Sequence, residues 1–270
     1  MHEYKTEIIL LLFLSLKHII QNSCQISDYT QKMPNSYFRF KQFTVHHDRC
    51  SMKVGTDGVL LGAWADVTDC RELLDVGTGS GLISLMAAQR NPDVRITAID
   101  IHSDSILQAR ENIAQSPFGD RIEAINIALH DFVGEHSDTF DAIVCNPPFF
   151  VESLLPSDSS RSNARHAETL SLADLFRESK KIISPQGTLS VIYPFQGKLF
   201  LEEQAAKYGW FIHRQTCVYS TSHSPAPKRI LLELALRPSE NKEDTLFIEI
   251  ERHEYSVAFR QLVRDFYLYL

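Results

Sequence analysis

Between Leu73 and Leu85 the chain reads LLDVGTGSGLISL. An apolar run ends on an acid, passes through Gly77, Gly79 and Gly81, and resumes as a segment with helical periodicity. Glycines at alternate positions let the backbone turn tightly and pass close to a ligand, because no Cβ intervenes. Strand, glycine turn and helix in that order open an α/β sheet, and such sheets bind ligands at the carboxyl ends of their strands.

The rest of the chain repeats the alternation. RELLDV (71–76), VRITAID (94–100), RIEAINI (121–127) and FDAIVC (140–145) predict four strands. SGLISLMAAQR (80–90) and SDSILQARENIAQS (103–116), the latter opened by Ser103, predict the helices between the first three. A polar stretch without periodicity, 152–168, precedes a helix over SLADLFRESKKII (171–183). TLSVIYP (188–194) is a fifth strand, followed by a helix near 198–208. WFIHRQTCVYS and PKRILLELAL are then two sequential strands, which predicts an antiparallel hairpin. The tail, TLFIEIE then YSVAFRQLVRDFYLYL, predicts a strand and an amphipathic helix. Ahead of the glycine turn, FRFKQFTVHH (38–47) predicts a short hairpin or edge strand. TDGVLLGAWADV (56–67) predicts a helix with Asp57 as its candidate cap. The expected fold class is α/β, a Rossmann-like, mostly parallel seven-stranded sheet with an antiparallel edge hairpin and helices on both faces.

Residues 1–32 are expected to lie outside this fold, with one domain over 33–270. The apolar run Ile8–Leu16 is far shorter than the roughly 20 residues that span a bilayer. Its length suits a secretion signal, but Glu3 and Glu7 cancel Lys5 and no small-residue cleavage site follows. A dispensable tail or over-extended start is therefore preferred to an extra packed helix or a signal, and Met33 is a natural beginning.

Two cofactors compete for the glycine turn. The dinucleotide fingerprint G-x-G-x-x-G needs a third glycine where Leu82 stands. The spacing here is G-x-G-x-G with Asp75 just before it. A carboxylate there repels a pyrophosphate and suits an ammonium or sulfonium group, which favours S-adenosylmethionine over a nicotinamide dinucleotide. Asp100 ends the second strand, where a carboxylate accepts both hydroxyls of a ribose; its bland alternative is a helix cap.

The fourth strand runs into AIVCNPPFF, Ala142–Phe150. Pro147 and Pro148 fix φ, lack donors and hold Asn146 extended. The corner offers the Asn146 amide oxygen, the Pro147 carbonyl and the Phe149 ring. Two adjacent acceptors suit an amino group with two hydrogens, and an aromatic face suits a flat base or amide. Drawing hydrogen bonds to both protons of a delocalised amine frees its lone pair for attack on a methyl group, without a strong base.

With DVGTGSG, Asp100 and NPPFF in this order, the chain resembles the class I S-adenosylmethionine-dependent methyltransferases of the amino-methylating kind. FRFKQFTVHHDRCSMKVGTDGVLLGAWA (38–65) and the final FYLYL resemble the bacterial tRNA1(Val) adenine N6-methyltransferases, which act on the adenosine 3′ of the anticodon. The resemblance runs from about Phe38 to the end. It implies that Asp75, Gly77, Thr78, Gly79 and Gly81 hold the methionine part of the cofactor, and Asp100 with Ile101 the ribose. It implies that Lys53, Thr56 and Asp57 line the cofactor mouth, and that Asn146, Pro147, Pro148 and Phe149 grip the target amine, with Asn146 also at the cofactor. The family often has an acid after the third strand, near the cofactor adenine; Ala128 stands there, with His130 and Asp131 as candidate substitutes.

A tRNA anticodon arm as partner requires phosphate contacts, although the net charge of −7 argues against bulk nucleic-acid binding. Candidates are Lys32, Arg39, Lys41, His46, His47, Arg49 and Lys53 near the hairpin, and Arg161, Arg165 and His166 in the polar stretch. Five scattered cysteines without C-x-x-C suit reduced thiols in the cytoplasm, and the eleven histidines show no ligand spacing. No metal, no membrane association and a monomer are expected. A protein glutamine N5-methyltransferase acting on a release factor, a guanine-N2 rRNA methyltransferase and a non-catalytic RNA-binding module remain as alternatives.

Overall fold

The computed structural model describes residues 35–50, 52–136, 139–148 and 170–270. Ahead of the glycine turn, β1 (Tyr37–Arg39) and β2 (Thr44–His46) form the expected hairpin, in antiparallel register with Tyr37 opposite His46. Helix α1 (Thr56–Trp64) follows. Its N-cap is Gly55, and no side chain caps it. Asp57 instead pairs with Arg229, 2.8 Å away, a contact between residues too distant in sequence to be read from local pattern.

The alternating core comprises β3 (Glu72–Val76), α2 (Leu82–Arg90), β4 (Arg95–Asp100), α3 (Ser103–Ala114), β5 (Ile122–Asn126), α4 (Leu129–Glu135) and β6 (Phe140–Cys145). Helix α3 begins at Ser103, but its N-cap position is His102 and no side chain caps it. Then come α5 (Leu172–Ile182), β7 (Ile183–Pro194), α6 (Lys198–Lys207), β8 (Phe211–Thr221) and β9 (Arg229–Ala235). The chain closes with β10 (Lys242–Glu251), β11 (Glu254–Tyr255) and α7 (Val257–Val263). Ser171 caps α5 by accepting from the Asp174 amide.

Nine strands form one sheet in the order β11-β10-β8-β9-β7-β6-β3-β4-β5. Strands β3 to β7 pair in parallel, and β9 lies antiparallel between β7 and β8. The seven expected strands are therefore one continuous sheet with its hairpin. That sheet continues past the hairpin, because β10 adds in parallel to β8 and β11 folds back on β10.

Strand periodicity sends successive side chains to opposite faces. Leu73 accordingly belongs to one buried apolar cluster and Leu74 to the other; Val144 and Ile143, Ile192 and Val191, and Leu231 and Leu232 divide the same way. Helices α1, α2, α3 and α7 cover the first face, and α4, α5 and α6 the second. Burial on both faces holds the carboxyl ends of β3, β4 and β6 at fixed spacing, and the functional groups sit there.

Candidate active site

The glycine turn is stitched to the neighbouring strand. The Gly77 and Thr78 amides both donate to the Ile99 carbonyl, at 2.9 and 3.0 Å. Gly77, Gly79 and Gly81 all have left-handed backbones, with φ of 72°, 56° and 82°. A Cβ at Gly77 or Gly79 would meet no atom within 4 Å. Backbone conformation, not crowding, thus demands glycine at those two positions, and the space over the turn is open.

Two acids support the turn. Asp75 is fully buried at the end of β3, and its Oδ2 accepts from Thr78 Oγ1 at 2.7 Å and Ser84 Oγ at 2.6 Å. Its Oδ1 is buried with no hydrogen-bond partner among the described residues. Burial pushes the Asp75 carboxyl up to about 6, against the two hydroxyl hydrogen bonds that lower it. Asp100, at the end of β4, accepts from the Gly79 amide on Oδ2 and the His102 amide on Oδ1, each at 2.9 Å. Its carboxylate therefore ties the glycine turn to the start of α3.

The register Val76 opposite Cys145 sets Asn146 beside Gly77, one strand spacing or about 4.8 Å across. Asn146 Oδ1 is buried, with no hydrogen-bond partner among the described residues. A cavity of about 400 Å³ opens here, lined by Gly77, Gly79, Asp100, Asn146, Pro147 and Pro148, among others. Ile101 also lines it. Thr78 turns inward to Asp75, and Gly81 serves as the N-cap of α2. Phe149, Arg161, Arg165, His166 and Lys32 lie outside the described residues.

Lys53, Thr56 and Asp57 are not in the cavity wall; Cys50 and Met52 of the same connection are. At the other end, Ala128 caps α4 and lines the cavity with His130, Asp174 and Glu178. Glu178 is 1% exposed and held by Lys181 at 2.6 Å and Arg177 at 2.8 Å, with the ring of His130 at 3.5 Å. Burial would raise its carboxyl, but the hydrogen bonds from Lys181 and Arg177 outweigh that and hold it below the usual range. The signal was present in the sequence: Glu178 interrupts the apolar stripe Leu172, Leu175, Phe176, Ile182 of α5.

The hairpin cations are mostly engaged. Lys41 Nζ donates to the Arg264 carbonyl, and Arg49 pairs with Glu111 at 2.8 Å. The His46 ring packs on Tyr37 while its amide donates to Asn112. His47 is 5% exposed, and its Nδ1 accepts from the Val54 amide at 3.4 Å. Its expected place on a phosphate-binding surface is corrected: it shares the inward face of β2 with Val45 and braces the 47–54 connection. Arg39 is exposed. Among the described residues no group of three or more His, Cys, Asp or Glu is placed to hold a metal ion, and no helix is long and apolar enough to cross a membrane.

Comparison with known proteins agrees with this architecture. Residues 54–199 match the family model described as the methyltransferase small domain. A protein of Parabacteroides distasonis named tRNA1(Val) (adenine(37)-N6)-methyltransferase is 48% identical over 237 residues, 87% of this chain and 99% of that protein. A protein of the same name from Trichodesmium erythraeum is 42% identical over 238 residues, covering 87% of this chain and 99% of its own length. The crystal structure of a predicted O-methyltransferase from Agrobacterium tumefaciens superposes with a TM-score of 0.60 at 18% identity, covering 78% of this chain and 96% of that one, which shows the shared fold. With matches that span nearly the whole of both relatives, the chain belongs to the methyltransferase small domain family, among the tRNA1(Val) (adenine(37)-N6)-methyltransferases.

Proposed function

We propose that this chain methylates the exocyclic N6 of adenosine 37, next to the anticodon, in tRNA1(Val). S-adenosylmethionine is the methyl donor, and it supplies an electrophilic methyl group on a positively charged sulfur. The observation that carries the reading is the buried, unpartnered Oδ1 of Asn146, placed one strand from Gly77 on the wall of the same cavity.

The site fits that donor. A cavity of about 400 Å³ lies within the range of small-ligand pockets. The space over Gly77 and Gly79 is open where a methionine part would rest. Asp100 lines that end with its carboxylate, which suits a ribose, and Asp75 supports the glycine turn from behind the cavity wall. Asn146 Oδ1 and the Pro147 carbonyl accept the two hydrogens of the target amine. The Asn146 acceptor has no other partner to exchange, so little reorganisation accompanies binding. The proline pair holds this corner rigid, and positioning of amine and methyl group in line contributes up to roughly 7–11 kcal/mol. Transfer would form the bond from the amine nitrogen to the methyl carbon as the methyl–sulfur bond breaks, leaving the donor a neutral thioether, and the nitrogen would release one proton to water. An unstacked base is required, and an anticodon loop supplies one at lower cost than a duplex.

The reading includes a monomer, a domain over 33–270 with residues 1–32 as an extension, and a cytoplasmic setting. The free thiols of Cys50, Cys70, Cys145 and Cys217 suit a reducing compartment. The test is incubation of the chain and labelled S-adenosylmethionine with a tRNA1(Val) transcript, followed by nucleoside mass analysis. N6-methyladenosine at position 37 supports the reading. A glutamine amide offers the same two hydrogens, so a release factor is the control; label on that protein and none on the tRNA overturns it.

A further inference from the structure

The hairpin was the expected RNA surface, yet Lys41, Arg49, His46 and His47 are engaged with the protein itself, and Arg39 alone of that set is simply exposed. The carboxyl edge of the sheet beyond Asn146 is different. Strand β6 pairs with β7, with Cys145 opposite Val191, so the end of β7 is the first backbone next to the Asn146 corner. Strand β9 is the next, with Arg229 opposite Pro194. The start of β9 therefore lies about 10 Å from the β6 edge, two strand spacings away.

Three short segments converge there. The Phe195 amide donates to the Lys228 carbonyl at 3.1 Å, joining the turn after β7 to the start of β9. Arg229 Nε reaches Asp57 Oδ2 at 2.8 Å, joining β9 to the first turn of α1 and hence to the segment from Lys53. Helix α6 starts directly after the turn, and Leu199 and Phe200 in its first turn are 74% and 42% exposed.

The charges on this edge are uneven. Arg229 is matched by Asp57, and Lys198 by Glu202 at 3.5 Å. Lys53 and Lys228 are exposed, and neither side chain has an ion-pair or hydrogen-bond partner among the described residues. Further along the same edge the sign reverses. Glu249, Glu251 and Glu254 stand at the end of β10 and in β11. Against these three acids stand Arg252 in the turn between the strands and His223 at 2.8 Å from Glu251, so the field favours a polyanion beside β7 and β9 over β10 and β11.

We infer that Lys53, Lys228 and the exposed face of Leu199 and Phe200 form the landing for single-stranded RNA flanking the target base. The lysines meet phosphates and Phe200 offers a ring to a neighbouring base, the combination of basic track and aromatic platform that single-strand binders use. This rests on the tRNA reading above and deepens it by naming the surface. It moves Lys53 from the cofactor mouth to the substrate side, consistent with its place outside the cavity wall.

The test uses the full chain and a fluorescent tRNA1(Val) transcript, with affinity followed by anisotropy across a salt series. Lys53→Gln and Lys228→Gln are each expected to reduce the slope of log affinity against log salt by about 0.7, the increment of one single-strand phosphate contact. Phe200→Ala is expected to weaken binding about fivefold with the slope unchanged. Lys242→Gln, an exposed charge at the opposite edge of the sheet, opposite Arg214 at the start of β8, is expected to change neither. Calorimetric affinity for S-adenosylmethionine should hold in all four. A double lysine variant with the wild-type slope, while the wild type methylates tRNA, overturns the landing alone. Loss of cofactor affinity in Lys53→Gln returns that residue to the mouth and overturns its place here. A wild type that neither binds nor methylates tRNA overturns the functional reading, and the landing with it.

Discussion

Replacing Asn146 by alanine separates the two tasks that a residue on this cavity wall could serve. If its Oδ1 is held for the target amine, the ligand-free protein gains nothing from that atom. A buried acceptor without a partner costs about 1–3 kcal/mol, so deleting it offsets the packing lost with the amide. The expected result is an unchanged or slightly raised melting temperature. Cofactor affinity by calorimetry should stay within about twofold, because the turn over Gly77 and Gly79 is held by the Ile99 carbonyl and by Asp100 and not by Asn146. Turnover on tRNA should fall by roughly 10²–10³, the effect of removing one preorganised hydrogen-bonding group from a buried site. Asn146→Asp provides a second arm. It restores the acceptor only when ionised, and burial beside Asp75 and Asp100, whose charges already act on Cys145, raises that carboxyl. Recovered turnover should therefore grow with pH. A parallel loss of cofactor affinity, or a melting temperature lowered by several degrees, would refute the assignment and make Asn146 part of the scaffold.

Other perturbations address the supports. Gly79→Ala places a Cβ on a residue with φ of 56°, which costs about 1–2 kcal/mol in backbone strain although no atom blocks it; denaturant melts should show the loss and calorimetry a weaker cofactor. The Asp75 carboxyl is raised to about 6 from an ordinary 3.8, so its folded form prefers the proton; its contribution to stability is full below 3.8 and is lost as pH rises through 6. Urea melts of the wild type against Asp75→Asn should therefore diverge with rising pH, by at most about 3 kcal/mol, with the variant gaining; a gap that is constant from pH 4 to 8 contradicts the burial argument. A chain begun at Met33 should keep the melting temperature and cofactor affinity of the full chain, and a loss of either would place residues 1–32 in the working protein.

Much of the sheet was legible because burial on both faces writes itself into the sequence. LL at 73–74 and IV at 143–144 feed two cores at once, as a strand covered on both faces does. The glycine turn and the proline corner were legible because backbone conformation restricts residue type there. What escaped reading depended on distant partners. TLFIEIE reads as a strand, but its parallel pairing to β8 is set by how the connection at 236–241 crosses the sheet. Helix α4 was missed: it has seven residues and only Leu129 and Phe132 buried, too little for a periodic signal. Strand β7 begins at Ile183, five residues ahead of the expected strand over 188–194, and a register shift against Phe140 and Ala142 absorbs the irregular start. His47 escapes a reading by charge although its signal is local: period two from the buried Val45 points it inward.

The two unpartnered acceptors, Asp75 Oδ1 and Asn146 Oδ1, belong to the ends of adjacent strands, β3 and β6. An acceptor left without a donor at such a place costs about 1–3 kcal/mol. Neither could be held open on a short loop, which would shift to bring in water or a neighbouring amide. Here the strands behind them are locked by Leu73, Leu74, Ile143 and Val144, all buried, so the acceptors cannot relax. Local rules are broken at these two positions: Asn146 lines the cavity where the amine must be received, and Asp75, outside its wall, supports the glycine turn through Thr78 and Ser84. The sheet thus uses apolar burial to hold hydrogen-bonding groups at its carboxyl edge, where ligands with the matching donors meet them.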